Sequence, residues 1–295
     1  MTWNLEQITA SCCECWRRLH LGITIRQVHS VEDAGHCHDL AVRVWGEGAA
    51  CSTAQLSVHG HYGGVLLLAW YDADPIGFLF SFPARYRGEF VLWSHETAVL
   101  PQYIHQGIGT MLKLRQRELA AEIGYQHIAW TFDPLISRNA YFNLQKLGAR
   151  VVEYKVNAYG TDESDAINQG LETDRFIVVW ETAPNDEPRE TSGDLPRPPL
   201  IRVGADQAPL VEERVRGGSL TWLSQGWVIM EQDAPQVITE IPLSFESLLL
   251  NNRPLAETWR HTFRTMAEVL LEQGYQPVAL TYDAERAQYI WTKAE

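Results

Sequence analysis

Residues 97–112, T-A-V-L-P-Q-Y-I-H-Q-G-I-G-T-M-L, carry the densest chemical signal in this sequence. A strand-like run ends there, Gly107 and Gly109 follow with one residue between them, and a helical pattern begins. Glycines at such a turn let the backbone approach a ligand closely. The first amides of the helix have no intrahelical acceptors and stand at the positive end of its dipole. A diphosphate is the natural guest of that arrangement. The competing reading is a plain strand-to-helix turn, because a lone G-x-G arises often by chance.

Titratable residues lie close by. Glu96 stands between V-L-W and A-V-L, where a carboxylate is rarely placed unless it is paired or functional. It is the first candidate for proton transfer, set against a partly exposed charge at a strand end. Strand alternation puts His95 and Glu96 on opposite faces. Asp133, at the end of the next strand, is the second candidate, and before Pro134 it also reads as a turn former. His95 is the third, against a structural histidine. Arg85 and Arg87 could meet a carboxylate on a substrate or lie solvated on the surface. Trp70, Phe80, Phe82, Trp93 and Trp130 could line a cleft or fill a core. Cys12, Cys13 and Cys15 crowd together near His20, but no second C-x-x-C-like pair exists and H-C-H at 36–38 is the only candidate partner. No metal site is expected from that spacing.

The elements that must position these residues read as follows. I-T-I-R-Q-V at 23–28 alternates as a strand, and Ser30 is placed to cap a helix over 31–45. A second helix falls around Ala50–Val58. G-V-L-L-L-A-W-Y and I-G-F-L-F-S-F flank the turn D-A-D-P as a hairpin, and 89–99 is a third strand. The helix after Gly107 carries Ile108, Met111, Leu112, Leu119 and Ile123 as its apolar stripe. A strand at 127–132, a short helix near 137–147 and two closing strands follow. The order β-α-α-β-β-β-α-β-α-β-β predicts an α/β fold with a mixed sheet flanked by helices. Residues 183–199 hold five of the fourteen prolines among charges and read as an extended linker. The expected division is therefore 1–182, a linker at 183–199, and a small α+β domain over 200–295. There, Leu255, Trp259, Phe263, Met266 and Leu270 share one helix face.

Composition bounds the function. The 295 residues are 45% hydrophobic and 21% charged, an ordinary globular mix. Twenty-four Lys and Arg against 37 Asp and Glu give a net charge of −13, so a nucleic-acid partner is not expected. The apolar run at 64–71 is far short of the ~20 residues of a membrane span, and M-T-W-N-L-E-Q has no signal pattern. With five cysteines and no disulfide framework, a cytoplasmic location is expected.

V-x-P-x-Y-x-x-x-G-I-G followed by an amphipathic helix resembles motif A of the GNAT superfamily, the acyl-CoA-dependent N-acyltransferases. Six segments in the right order surround it, and W-T-F-D-P, N-A-x-x-N and T-D-R-F resemble one subgroup of predicted acetyltransferases. The match covers roughly residues 20–182, with a less distinctive likeness in the tail. The superfamily pattern Q/R-x-x-G-x-G/A has Ile104 at its first position here and His105 before the loop. A tyrosine expected four residues before the helix-ending glycine is Leu144, with Tyr141 close to the same helix face.

The resemblance implies a GNAT-like mixed sheet and acetyl-CoA or another short acyl-CoA as co-substrate. It implies pantetheine paired along Thr97, Ala98 and Val99, the pyrophosphate held by the amides of His105, Gln106, Gly107, Ile108, Gly109 and Thr110, and Ile104 at the cofactor-binding loop without the family's guanidinium. It also implies cofactor contacts at Asn139 and Asn143, a use for a general base, for which Glu96 and then Asp133 are the candidates read above, and Tyr141 as a stand-in acid. The acceptor is expected to be a small-molecule amine such as an amino acid. Acetyl is the default acyl group, and succinyl is the option the subgroup suggests. The alternative is a catalytically degenerate protein that only binds acyl-CoA or a partner. A homodimer is one option for its assembly.

Overall fold

The computed structural model describes residues 22–161, 168–183, 200–211, 219–223, 226–230, 235–282 and 287–293. Cys12, Cys13, Cys15 and His20 lie outside these, as does nearly all of the expected linker. The chain packs as two compact units, Met1–Ala129 with Glu181–Ala183, and Trp130–Trp180 with Pro184–Glu295.

In the first unit, β1 (Ile23–Gln27), β2 (Val65–Tyr71), β3 (Asp74–Tyr86) and β4 (Glu89–Val99) follow one another as antiparallel neighbours. The start of β5 (His127–Phe132) then runs parallel to β4, pairing Leu92 with Ile128 and Trp93 with Ala129. Helix α1 (Val31–Trp45) is capped by Ser30, whose hydroxyl accepts from the Asp33 amide. Helix α2 spans Thr53–His61 rather than starting near Ala50. The reason is a capping box in which Ser52 and Gln55 satisfy each other's amides, worth about 1 kcal/mol. Ala34, Cys37, Leu40, Ala41 and Leu56 of these helices share a core with Leu66, Leu68, Phe78, Phe80 and Ala98 of the sheet. Helix α3 (Ile108–Ile123) covers the other face, burying Ile108, Leu112, Lys113, Gln116, Leu119 and Ala120. Ile123, expected in its apolar stripe, is 47% exposed at the helix end.

The second unit holds the rest of β5 beside β7 (Arg175–Glu181), and β7 pairs antiparallel with β6 (Arg150–Lys155). The short helix α4 (Ser137–Ala140) runs on as a wider turn over Tyr141–Lys146. A five-stranded mixed sheet follows, ordered β13 (Tyr275–Tyr282), β14 (Ala287–Lys293), β12 (Gln236–Ile241), β8 (Ile201–Val203) and β9 (Pro209–Val211). Strands β10 (Ser219–Leu223) and β11 (Gly226–Met230) form a separate hairpin. Helices α5 (Phe245–Asn251) and α6 (Arg253–Glu272) complete the unit. Trp259, Phe263, Met266 and Leu270 of α6 are buried as its periodicity requires.

The order of elements through β7 is the order expected, a mixed α/β arrangement with helices flanking a sheet. The division by packing differs from the division by composition. Phe263 and Trp291 stack edge-on with Phe176 of β7 at 6.0 and 6.1 Å, and Tyr289 donates to the Pro134 carbonyl at 2.6 Å. The described part of 200–295 thus packs with residues 130–180 around one core. No helix among the described residues is long and apolar enough to cross a membrane.

Candidate functional site

Strand β4 is irregular at one point, and that point organises the site. Phe80 faces Glu96 and Ser81 faces Ser94, so His95 is the extra residue of a β-bulge. The bulge breaks strand alternation, and His95 and Glu96 lie on the same face rather than opposite ones. His95 meets Phe80 at 6.0 Å and Phe82 at 5.5 Å edge-on, and His59 meets the same two residues at 5.7 and 5.2 Å. Glu96 points toward α1 and α2, where its Oε1 accepts from the Cys51 amide at 3.3 Å.

Glu96 is only 8% exposed, and its Oε2 has no hydrogen-bond partner. A buried carboxylate oxygen left bare costs a few kcal/mol, so its retention calls for a reason. Cys51 Sγ, a His95 ring nitrogen and a Glu96 oxygen all lie within 4.8 Å of one another. Burial first, then the hydrogen bond and negative charge of Glu96, push the Cys51 thiol up to about 12. Partial desolvation and, secondarily, the nearby His59 lower the pKa of His95, against the pull of Glu96. His38 fixes the turn below, with Nδ1 3.0 Å from the Cys51 carbonyl.

Beyond the bulge, Thr97, Ala98 and Val99 pair with Leu79, Phe78 and Gly77 of β3. Within the first unit the pairing of β4 with β5 stops at Trp93. The chain then makes a short 3-10 turn at Pro101–Tyr103 and reaches the glycine loop. His105 has φ 68°, a left-handed conformation that costs a non-glycine residue about 1 kcal/mol. Gly107 is the N-cap of α3 at φ 77°, and a Cβ there would meet nothing within 4 Å. No side chain caps the helix, so the amides of Ile108, Gly109 and Thr110 are presented without one. Gln106 donates to the Gln102 carbonyl at 3.2 Å, while its Oε1 is buried and unpartnered. Ile104 is 45% exposed.

Asp133 is not placed as a base. Arg260 binds it in a two-pronged pair at 2.9 and 2.5 Å, and Arg175 adds a contact at 3.3 Å. Burial alone would raise this carboxyl; the Arg260 charge and hydrogen bonds, with Arg175 and the Leu135 amide, hold it below the ordinary range instead. A carboxylate so neutralised is a poor proton acceptor. Its role is to anchor α6 beside β5 within the second unit. A parallel anchor joins Arg264 to Asp174 at 2.7 Å and Glu172 at 2.8 Å.

The remaining candidates fall as follows. Asn143 spends its side chain internally, accepting from Trp130 Nε1 at 2.9 Å and donating to the Asn139 carbonyl at 2.8 Å, so it is not offered to a cofactor. Asn139 is exposed at the end of α4. Tyr141 is half-buried with Lys146 over its ring at 5.9 Å, and Leu144 is buried. Arg85 lies at the end of β3 and donates to the Gly88 carbonyl, and Arg87 sits in the β3–β4 turn over Tyr86. Of the five aromatics, Phe80 and Phe82 flank the His95 ring. Trp70 meets His36, Trp93 meets Tyr86, and Trp130 is buried.

Two notable residues, Cys51 at the site and Lys113 on the opposite face of β4, carried no sequence assignment. Cys51 precedes α2 in a stretch with no distinguishing spacing. Lys113 is 3% exposed on α3 and donates from Nζ to Ser94 Oγ at 2.7 Å. Burial lowers its pKa to about 7. Its signal was present: Lys113, Gln116 and Ala120 follow one another at helical spacing beside Leu112 and Leu119.

No protein-family model matches the sequence, and no curated protein does. Solved structures do. An acetyltransferase of the GNAT family from Streptococcus pneumoniae is 15% identical, with 54% of this chain and 99% of that chain covered, at a TM-score of 0.44. A GNAT family acetyltransferase from Elizabethkingia anophelis with acetyl-CoA bound is 20% identical, covering 54% and 98% at a TM-score of 0.40. The ribosomal-protein alanine N-acetyltransferase of Escherichia coli is 16% identical, covering 56% and 97% at a TM-score of 0.44.

Proposed function

We propose that the protein is an acyl-CoA-dependent N-acyltransferase of the GNAT type, moving an acetyl group to the amine of a small molecule such as an amino acid. The observation that carries this reading is the buried Glu96, with one oxygen unpartnered, on the strand that leads into the uncapped start of α3. The motif at 97–112 supports the same placement, with the Ile108, Gly109 and Thr110 amides taking the pyrophosphate.

The chemistry follows from the amine. Near neutral pH a free amine is mostly protonated, with a pKa near 7.7–8.0 for an α-amine, and cannot attack. Glu96 accepts the ammonium proton, directly or through water. The amine nitrogen then forms its bond to the thioester carbonyl carbon. The C–S bond breaks, CoA leaves as a thiolate that takes up a proton, and the further proton that the nitrogen sheds as the amide forms restores the donor. Tyr141 is proposed as the donor, tested by Tyr141→Phe. Succinyl-CoA is the second donor to try.

The test is release of free thiol from acetyl-CoA or succinyl-CoA across a panel of amino acids and polyamines. Turnover that falls sharply in Glu96→Gln supports the base. A second reading, a protein that binds acyl-CoA without turnover, is favoured by buried Leu144 where the resemblance expects a tyrosine. Tight CoA binding with no turnover on any amine would establish it.

A further inference from the structure

We propose that Cys51, His95 and Glu96 form a binding site for one transition-metal cation of the zinc class, whose occupation withdraws Glu96 from proton transfer. The donor set is a thiol, an imidazole and a carboxylate, the three ligand types that zinc takes in proteins. Their donor atoms already lie within 4.8 Å of one another. In a tetrahedral site with bonds of about 2.0–2.3 Å, ligand atoms stand about 3.4–3.7 Å apart. Closing the site therefore requires side-chain movements of about 1 Å, within the reach of ordinary rotamer adjustment.

A second observation points to a ligand independently. Glu96 is more than nine-tenths buried, and its Oε2 has no partner. A cation there would satisfy the one bare acceptor of the site. His95 is exposed, which gives the metal a route in from solvent. The bulge is what makes the site, because a regular strand would send the imidazole and the carboxylate to opposite faces. Three protein ligands leave a fourth position for water. Binding exchanges the thiol S–H for a metal–sulfur bond and releases one proton to solvent.

The regulatory part rests on Glu96 as the base, and the test separates the two claims. Reduced, full-length protein is stripped with chelator and titrated with Co2+ alone and with Zn2+ alone. The expected result is one tight equivalent with a near-ultraviolet thiolate-to-cobalt band. Cys51→Ser loses that band, and both Cys51→Ser and His95→Gln weaken Zn2+ at least tenfold. A Cys12→Ser, Cys13→Ser, Cys15→Ser variant keeps band and affinity. Far-ultraviolet circular dichroism confirms that each variant is folded. Absence of a band in the wild type, or a band that survives Cys51→Ser and disappears in the triple variant, overturns the site.

Regulation is read separately, as acylated product by mass spectrometry. One equivalent of Zn2+ slows the wild type at least tenfold and leaves Cys51→Ser at its own metal-free rate. A metal-free wild type that forms no product refutes the transferase reading, while the cobalt titration still decides the metal site.

Discussion

Lys113→Met is expected to stabilise the protein at neutral pH, by an amount that can be worked out in advance. Lys113 is buried against Ser94 on the α3 face of the sheet, and burial takes its pKa from 10.5 to about 7. At about 1.4 kcal/mol for each pKa unit, holding the charged form inside costs about 5 kcal/mol at and below pH 7. Methionine has a similar length and helix propensity and no charge to desolvate. The lost hydrogen bond leaves the Ser94 hydroxyl bare, which offsets about 1 kcal/mol. The net gain is about 4 kcal/mol, or about 2 M in urea midpoint for a slope near 2 kcal/mol/M.

The sign with pH is fixed by linkage. The folded pKa lies below the unfolded one, so the unfolded chain binds more protons between pH 7 and 10.5. Wild-type stability therefore rises across that window relative to the variant, by up to about 1.4 kcal/mol per pH unit. The advantage of Lys113→Met is largest below pH 7 and gone near pH 10. Other groups titrating in the window are common to both proteins and cancel in the difference. Urea unfolding of the pair at pH 6, 7, 8, 9 and 10 measures it. A gap that does not change with pH, or a variant less stable than wild type at pH 7, refutes the reasoning.

Three further outcomes follow from the same structure. Glu96→Gln keeps the shape but cannot take a proton, so turnover with acetyl-CoA falls about 100- to 10,000-fold while CoA affinity by calorimetry is unchanged. Gly107→Val places a β-branched residue at φ 77°; with open space around it, the cost is backbone strain of about 1–2 kcal/mol and at least a tenfold loss of CoA affinity. Unchanged affinity would remove the placement of the phosphates. Arg260→Met leaves buried Asp133 with only Arg175 at 3.3 Å and the Leu135 amide and costs about 3 kcal/mol in unfolding, most of it recovered in Asp133→Asn/Arg260→Met. Because Asp133 is held below its ordinary pKa, the wild-type advantage over that double variant is present above about pH 4 and fades as acid titrates the folded carboxyl.

Much of the fold is legible in the sequence because its signals are local. Ser30 caps α1, D-A-D-P turns β2 into β3, and Gly107 opens α3, each by chemistry confined to a few residues. The helix stripe of α6 is legible for the same reason. The partner of that stripe is not. Arg260 meets Asp133 across 127 residues of sequence, and Phe263 meets Phe176 across 87. Neither pair leaves a local trace, so composition drew a boundary at the proline-rich segment while packing joined residues on either side of it. Asp133 shows the cost of reading locally: its motif position suggests a base, and two guanidinium groups from distant segments make it an anchor.

The bulge at His95 was hidden for a different reason. In β4, Leu92, Ser94, Glu96 and Ala98 are all buried, an unbroken period of two that gives no hint of an extra residue. The pattern survives because both faces of the strand are covered. Ser94 is buried against Lys113 of α3, and Glu96 is buried on the other side, against Cys51 before α2. Burial is therefore continuous while the face switches. Only the register with β3, in which Phe80 meets Glu96 and Ser81 meets Ser94, exposes the switch. A strand with one solvated face would have shown it as a break in polarity. The same coverage lets the Glu96 carboxylate sit deep beside a thiol and an imidazole, because the bulge turns consecutive residues onto one face, with His95 at the solvent side and Glu96 beneath it.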